Sequence, residues 1–198
     1  MPEVLTDAGG TSAHPILPPI LKWEPTRNSA PRLGHPVSLV VVHRWGVRYT
    51  TPEAEHTTYD GVVNYFKQPS SQVSAHIVFP GSAAPGEATQ MVAWDDYAWA
   101  QAAFNPVADE IESADAIWLG QDDHGLEVLA RIVAFRLHVR GLPAVWSSRR
   151  GFCRHADLGA AGGGHTECPT TDFAVWRRFV KLVQREAERG HFRKTWGR

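Results

Sequence analysis

Two imidazoles and a thiol stand close together late in this chain: His155, His165 and Cys168, with Gly162, Gly163 and Gly164 between them and Pro169 after the cysteine. Sulfur and nitrogen donors carried on a flexible loop suit zinc. Far upstream, the apolar run from Leu39 to Val42 ends on another histidine, His43. A catalytic zinc keeps three protein donors and leaves one position for water or substrate. His43, His155 and Cys168 make such a set, and the chemistry expected of it is hydrolysis. The three glycines let the backbone fold back between His155 and Cys168 without a steric penalty. His165, in the same loop, is a rival ligand that spacing does not remove. Two other arrangements fit the same residues: a structural zinc knot, and a Cys153–Cys168 disulfide with surface histidines.

Positioning these groups requires a scaffold. Val37 to Val42 is almost wholly apolar and valine-rich, which reads as a strand buried on both faces, with His43, Arg44 and Trp45 at its end, where ligands gather in open sheets. Thr50 to Asp60 carries helix-start chemistry, Val62, Val63 and Phe66 give a short apolar face, and Pro69 stops the helix. Val73 to Phe79 reads as a second strand whose His76 faces the site, and Gln90 to Trp94 as a third, weaker one. Ala98 to Pro106 reads as a connection. The segment from Val107 to Ser113 follows no clear period, and Ala116 to Leu119 reads as strand-like. Gly125 to Val139 has helical apolar spacing, with Gly141 beyond its end. A last helix opens after Thr171, with Phe173, Trp176, Val180 and Val183 as its expected stripe. It runs into a basic tail of Arg185, Arg189, His191, Arg193, Lys194 and Arg198.

The 198 residues suffice for one sizeable core, and 43% hydrophobic with 21% charged residues is ordinary for a soluble globular protein. A formal net charge of -1 gives no global field toward nucleic acid or a membrane surface. No apolar run reaches membrane-spanning length. The start, Met1 to Asp7, lacks the basic and apolar regions of a secretory leader, so synthesis in the cytoplasm with reduced thiols is expected. Residues 1–35, rich in proline, read as an extended arm.

The set as a whole resembles the zinc-dependent N-acetylmuramoyl-L-alanine amidases of the type-2 amidase and peptidoglycan-recognition-protein family, most of all the amidase modules of endolysins from phages of actinobacteria. The resemblance rests on Val40 to His43, on Val73 to Phe79 around His76, on Asn105 followed by Ile111 and Glu112, and on Arg154 to Pro169, in that order, and covers about Val37 to Val183. It implies an α/β fold with a mixed central sheet flanked by helices and a zinc ion (Zn2+) in a groove at one edge. Carried over by position, His43, His155 and Cys168 match the zinc ligands. Glu112, with Glu110 as its competitor, matches a glutamate that handles the reacting water, and Thr166 matches a residue that steadies the developing oxyanion. His76 and Trp45 are expected to meet substrate. The chain departs from the pattern at Ala75, where many relatives have tyrosine, at Thr170, where glycine is usual, and in a longer loop between His155 and Cys168.

The resemblance implies hydrolysis of the amide between N-acetylmuramic acid and L-alanine in bacterial peptidoglycan: a cell-wall-degrading, bacteriolytic endolysin of a bacteriophage. Such a protein is made in the host cytoplasm, acts on the wall as a monomer, and neither binds nucleic acid nor inserts stably into membranes. Residues 36–198 would form the catalytic domain with its basic C-terminal helix. The competing readings are a non-catalytic peptidoglycan binder of the same fold and a zinc peptidase cutting the stem peptide.

Overall fold

The computed structural model describes residues 21–45, 58–83 and 88–189. The first part of the arm, the helix-start residues 50–57 and the tail from His191 onward lie outside the described residues. Among those described, the strands are β1 (Leu21–Trp23), β2 (Ser29–Pro31), β3 (Leu39–Trp45), β4 (Ile77–Phe79), β5 (Ala88–Gln90), β6 (Asp96–Ala98), β7 (Ala108–Ala114) and β8 (Gly151–Arg154). The α-helices are α1 (Tyr59–Lys67), α2 (Asp115–Trp118), α3 (Asp123–Arg140) and α4 (Phe173–Arg189).

Six strands make a mixed sheet in the spatial order β1-β5-β4-β7-β3-β8. The run β4, β7, β3, β8 is parallel throughout, whereas β4 meets β5 antiparallel and β1 lies parallel to β5. β2 and β6 form a separate antiparallel ribbon. The fold is therefore α/β with a mixed sheet; of the expected arm, β1 is paired into that sheet and β2 into the ribbon.

β3 forms for the reason its sequence gives: β-branched residues in a row suit a strand covered on both sides. Alternation sends Val40 and Val42 to the face covered by α3 and α4, and Leu39 and Val41 to the other, where they meet Cys153 and Leu158. α3 starts where Asp122 Oδ1 accepts from the Gly125 N–H at 2.8 Å, and ends at Gly141, whose φ of 63° closes the last turn. α1 starts on Thr58 and packs Val62, Val63 and Phe66 with Val78 and Met91 on the opposite face of the sheet.

Several expectations are corrected. Val107 to Ser113, which shows no clear period, contains most of β7, a strand in the middle of the sheet. Its acids hid it: Asp109, Glu110 and Glu112 are all buried, and buried acids survive only with partners or at a working site. Asp109 faces the helices and is paired with Arg32, Arg136 and Arg140 at 2.8, 2.7 and 2.9 Å. Ala116 to Leu119 is helical rather than extended, because α2 turns Ile117 and Trp118 into the core immediately after β7. β4 is shorter than the expected strand, and β5 ends at Gln90 where the third strand was expected to begin. The stripe of α4 is rotated: Trp176, Phe179, Leu182 and Val183 are buried while Phe173 is exposed.

Candidate metal centre

The parallel register of three strands assembles the site. β3 pairs with β7 so that His43 stands opposite Glu112, and with β8 so that Val42 stands opposite Arg154. His155, the next residue after β8, therefore arrives beside His43, and their ring centroids are 4.5 Å apart. Neighbouring strands lie about 4.8 Å apart, so Glu112, His43 and His155 form one row across the ends of three strands.

Cys168 comes to this row through the loop. The Ala156 N–H donates to the Cys168 carbonyl at 2.9 Å, and the Arg154 guanidinium holds both Asp157, at 2.6 Å, and the Thr170 carbonyl, at 3.2 Å. Between these ties the backbone reverses at Gly163 and Gly164, with φ of 102° and 78°, a region L side chains rarely adopt. A Cβ at Gly162 would lie 2.5 Å from the Leu158 Cβ. The glycines thus serve the return of the chain, as expected from the sequence.

His43, His155 and Cys168 each bring one donor atom to within 4.8 Å of the other two. Both histidines are buried, at 3% and 4% exposure. His43 Nε2 lies 2.8 Å from Glu110 Oε2, and His155 Nε2 lies 2.7 Å from the Gly162 carbonyl. Each ring therefore has Nδ1 left as its free nitrogen. Burial lowers the His43 pKa well below the usual range, with His155 and His165 adding to the effect, and burial lowers that of His155 as well. The Cys168 thiol is pushed up by burial and by nearby Glu112, while the Arg44 backbone N–H hydrogen-bonds the sulfur and pulls the other way. Two neutral imidazoles beside a sulfur is a zinc donor set, and the separations approach the roughly 3.5 Å between ligands of a tetrahedral zinc. Both cysteines are free thiols, which removes the Cys153–Cys168 disulfide.

Glu112 is 9% exposed, its Oε1 is buried without a hydrogen-bond partner, and burial pushes its pKa up to about 8. Glu110 differs: it is fully buried, and its oxygens are taken by His43 and by the Gln101 side chain. Of the two glutamates weighed in the sequence, Glu112 is the one with a carboxylate oxygen available.

The remaining expected residues are placed as follows. His165 is exposed and lies against His155, ring centroids 4.4 Å apart, outside the cluster of three donors. Thr166 is exposed in the loop before Cys168. Trp45, half-buried, lies two residues beyond His43 on the same side of β3 and 6.5 Å from the Tyr59 ring. His76 is a correction. It is fully buried, its Nδ1 accepts from the Glu110 N–H at 3.0 Å, its Nε2 faces the Asp96 carbonyl at 3.2 Å, and its ring stacks on Trp94. It has no surface with which to meet substrate. Burial holds its pKa at about 4.

No protein-family model matches the sequence, and no curated protein is significantly similar to it. Solved structures do match. The Staphylococcus aureus hydrolase AmiA, determined with its ligand, superposes with a TM-score of 0.65 at 15% identity, covering 94% of this chain and 98% of that one. A mutant endolysin from Bacillus subtilis gives 0.58 at 15% identity, over 83% and 97%. The N-acetylmuramoyl-L-alanine amidase LysC from Clostridium intestinale gives 0.50 at 15% identity, over 75% and 86%. The chain has the type-2 amidase fold.

Within this amidase fold, sequence reasoning missed the contact between Glu110 and His43 and the backbone donor of Arg44. The first had a signal. Glu110 and Glu112 are two apart, the period that puts both on one face of a strand, and that face carries His43. No side-chain pattern announces a backbone donor such as that of Arg44. Among the described residues no helix is long and apolar enough to cross a membrane.

Proposed function

We propose that this chain is a zinc-dependent N-acetylmuramoyl-L-alanine amidase, cleaving the bond between the muramic acid lactyl group and L-alanine of bacterial peptidoglycan as an endolysin. The observation that carries this reading is the meeting of His43, His155 and Cys168 beside Glu112, whose Oε1 has no hydrogen-bond partner, on an amidase fold. The neighbours on that fold include a protein described as an N-acetylmuramoyl-L-alanine amidase and another described as an endolysin.

His43, His155 and Cys168 would hold the ion. When bound, zinc polarises the scissile carbonyl and acidifies water. Glu112 takes a proton from the attacking water and returns it to the leaving amine, its Oε1 being engaged by no other group. Thr166 donates its hydroxyl to the developing oxyanion. Trp45 packs against the substrate at the end of β3. Residues 36–198 form the catalytic unit, with the preceding arm strapped to it through β1 and β2.

Digestion of purified peptidoglycan followed by mass analysis tests the reaction. Free stem peptides beginning with L-alanine are expected. Stems cut internally would make the protein a peptidase, and an intact polymer that retains bound protein would make it a non-catalytic binder.

A further inference from the structure

Glu110 is an acid inside a parallel sheet, fully buried, on the strand beside the one that carries His43. Carboxylates are rarely buried in this way without a specific partner. Glu110 has two on its side chain. Oε2 lies 2.8 Å from His43 Nε2, and Oε1 accepts a hydrogen bond from the Gln101 side-chain amide. Gln101 is itself buried and is held from behind: its backbone N–H donates to Asn105 Oδ1 at 2.7 Å, and the Ala100 N–H donates to the same atom at 3.1 Å. A continuous hydrogen-bonded chain therefore runs Asn105, Gln101, Glu110, His43, from a turn outside the sheet to the donor cluster.

We propose that Glu110 is a positioning residue for the metal centre: it takes the Nε2–H of His43, fixes the ring's rotation, and directs a deprotonated Nδ1 at the site shared with His155 and Cys168. The inference rests on the zinc reading above and assigns a role to a residue outside the ligand set. A histidine ligand is ordinarily oriented by whatever accepts its second ring proton. The two histidines of this site differ in that respect. His155 is oriented by a neutral backbone carbonyl, that of Gly162, whereas His43 is oriented by a side-chain carboxylate. A substitution can therefore remove the acceptor at His43 and cannot remove the one at His155. Gln101 locks the carboxylate's second oxygen, so Glu110 cannot swing away from the ring. The Gln101 Oε1 is buried without a partner. Turning that amide over lets Glu110→Gln be accommodated with its hydrogen bonds intact, so that the variant exchanges the carboxyl acceptor of His43 for an amide and changes little else.

The test is the zinc affinity of the full chain, measured by competition with a chromogenic chelator and independent of any wall-degrading assay. Glu110→Gln is expected to weaken zinc about 10-fold and Glu110→Ala up to about 100-fold, with the thermal midpoints of the zinc-free proteins recorded beside them. A folded Glu110→Gln protein with wild-type zinc affinity overturns the proposal. A wild-type measurement stands independently of any variant's folding: in protein labelled with 15N-histidine and loaded with 113Cd, one-bond coupling is expected at His43 Nδ1, with a slowly exchanging proton on Nε2. Coupling at Nε2 overturns the proposal while leaving the metal site standing. A wild-type chain that binds neither metal overturns the zinc reading itself and this inference with it. Wild-type zinc binding without peptidoglycan cleavage would sink only the amidase reading.

Discussion

His43 on β3 and Glu112 on β7 are register partners across two parallel strands, one offering an imidazole and the other a carboxylate at the same level of the sheet. The pairing puts an imidazole of the candidate metal centre and a carboxyl group side by side with no loop between them. A strand pair places side chains more firmly than a loop does. Cys168 is the donor that depends on a loop, and it is the one tied down by backbone and guanidinium hydrogen bonds at both ends of its segment.

That arrangement separates the roles of four residues. His43→Ala, His155→Ala and Cys168→Ser are each expected to abolish both stoichiometric zinc and activity on purified walls. Glu112→Gln is expected to keep zinc and lose turnover by about 100- to 10,000-fold, the usual span for a general acid–base group. Metal content and turnover measured on the same preparations check this. Full activity in any ligand variant would remove that residue from the set.

Zinc binding should displace protons in a countable way. Both imidazoles are held below their usual range and are neutral at pH 7, whereas Cys168 and Glu112 are protonated there. The thiol must ionise to bind, releasing about one proton per zinc. A nearby cation also favours the Glu112 carboxylate, adding part of a second. Calorimetry in buffers of different ionisation enthalpy should therefore give between one and two protons for wild type and about one for Glu112→Gln. A count near zero would mean that the sulfur is not a ligand.

The zinc-free protein should show the cost of keeping Glu112 in this position. Its folded pKa of about 8 lies above its unfolded value, so the folded state holds the proton more tightly. Its share of stability is full below an unfolded value of about 4.3 and is lost as pH rises toward 8. Glu112→Gln removes a buried carboxylate that must ionise and should raise the thermal midpoint of zinc-free protein more at pH 8.5 than at pH 5. Equal shifts at both values would show that burial does not perturb this group.

How far the sequence could be read follows from which forces leave a local pattern. β3, α1 and α3 were legible because apolar period and helix-end residues act on neighbours in the chain: four valines in and around β3, the apolar face and start signals of α1, and the apolar spacing of α3 with Gly141 at its end. The meeting of His43, His155 and Cys168 was legible because zinc chemistry restricts residue type and the glycines at 162–164 announce a reversal. β7 was not legible, since the guanidinium groups that allow Asp109 to be buried come from Arg32, Arg136 and Arg140, remote in sequence. His76 was misassigned to substrate because alternation tells which side of a strand a residue takes, not what covers it. The α4 stripe was right at Trp176 and Val183 but missed Phe179, which meets Trp118, and took in Phe173, which is exposed.

The Asp109 cluster supplies a control that separates scaffold from site. Asp109 faces away from the donor cluster, is fully buried, and accepts from three arginines, with the Arg136 guanidinium also stacked 3.4 Å over the Trp94 ring. The arginines hold its carboxyl well below the usual range, so it remains ionised under all ordinary conditions. Removing one partner from a buried ion network leaves uncompensated charge and typically costs about 3–5 kcal/mol. Asp109→Ala should therefore lower the urea midpoint sharply, while the fraction that remains folded keeps wild-type zinc affinity. Because Asp109 and Glu110 are sequence neighbours on opposite faces of β7, the comparison is demanding. Asp109→Ala is expected to change stability without changing affinity, and Glu110→Gln to change affinity with little change in stability. Loss of zinc affinity in folded Asp109→Ala would mean that the two faces of β7 are coupled and that the site is not positioned by strand register alone.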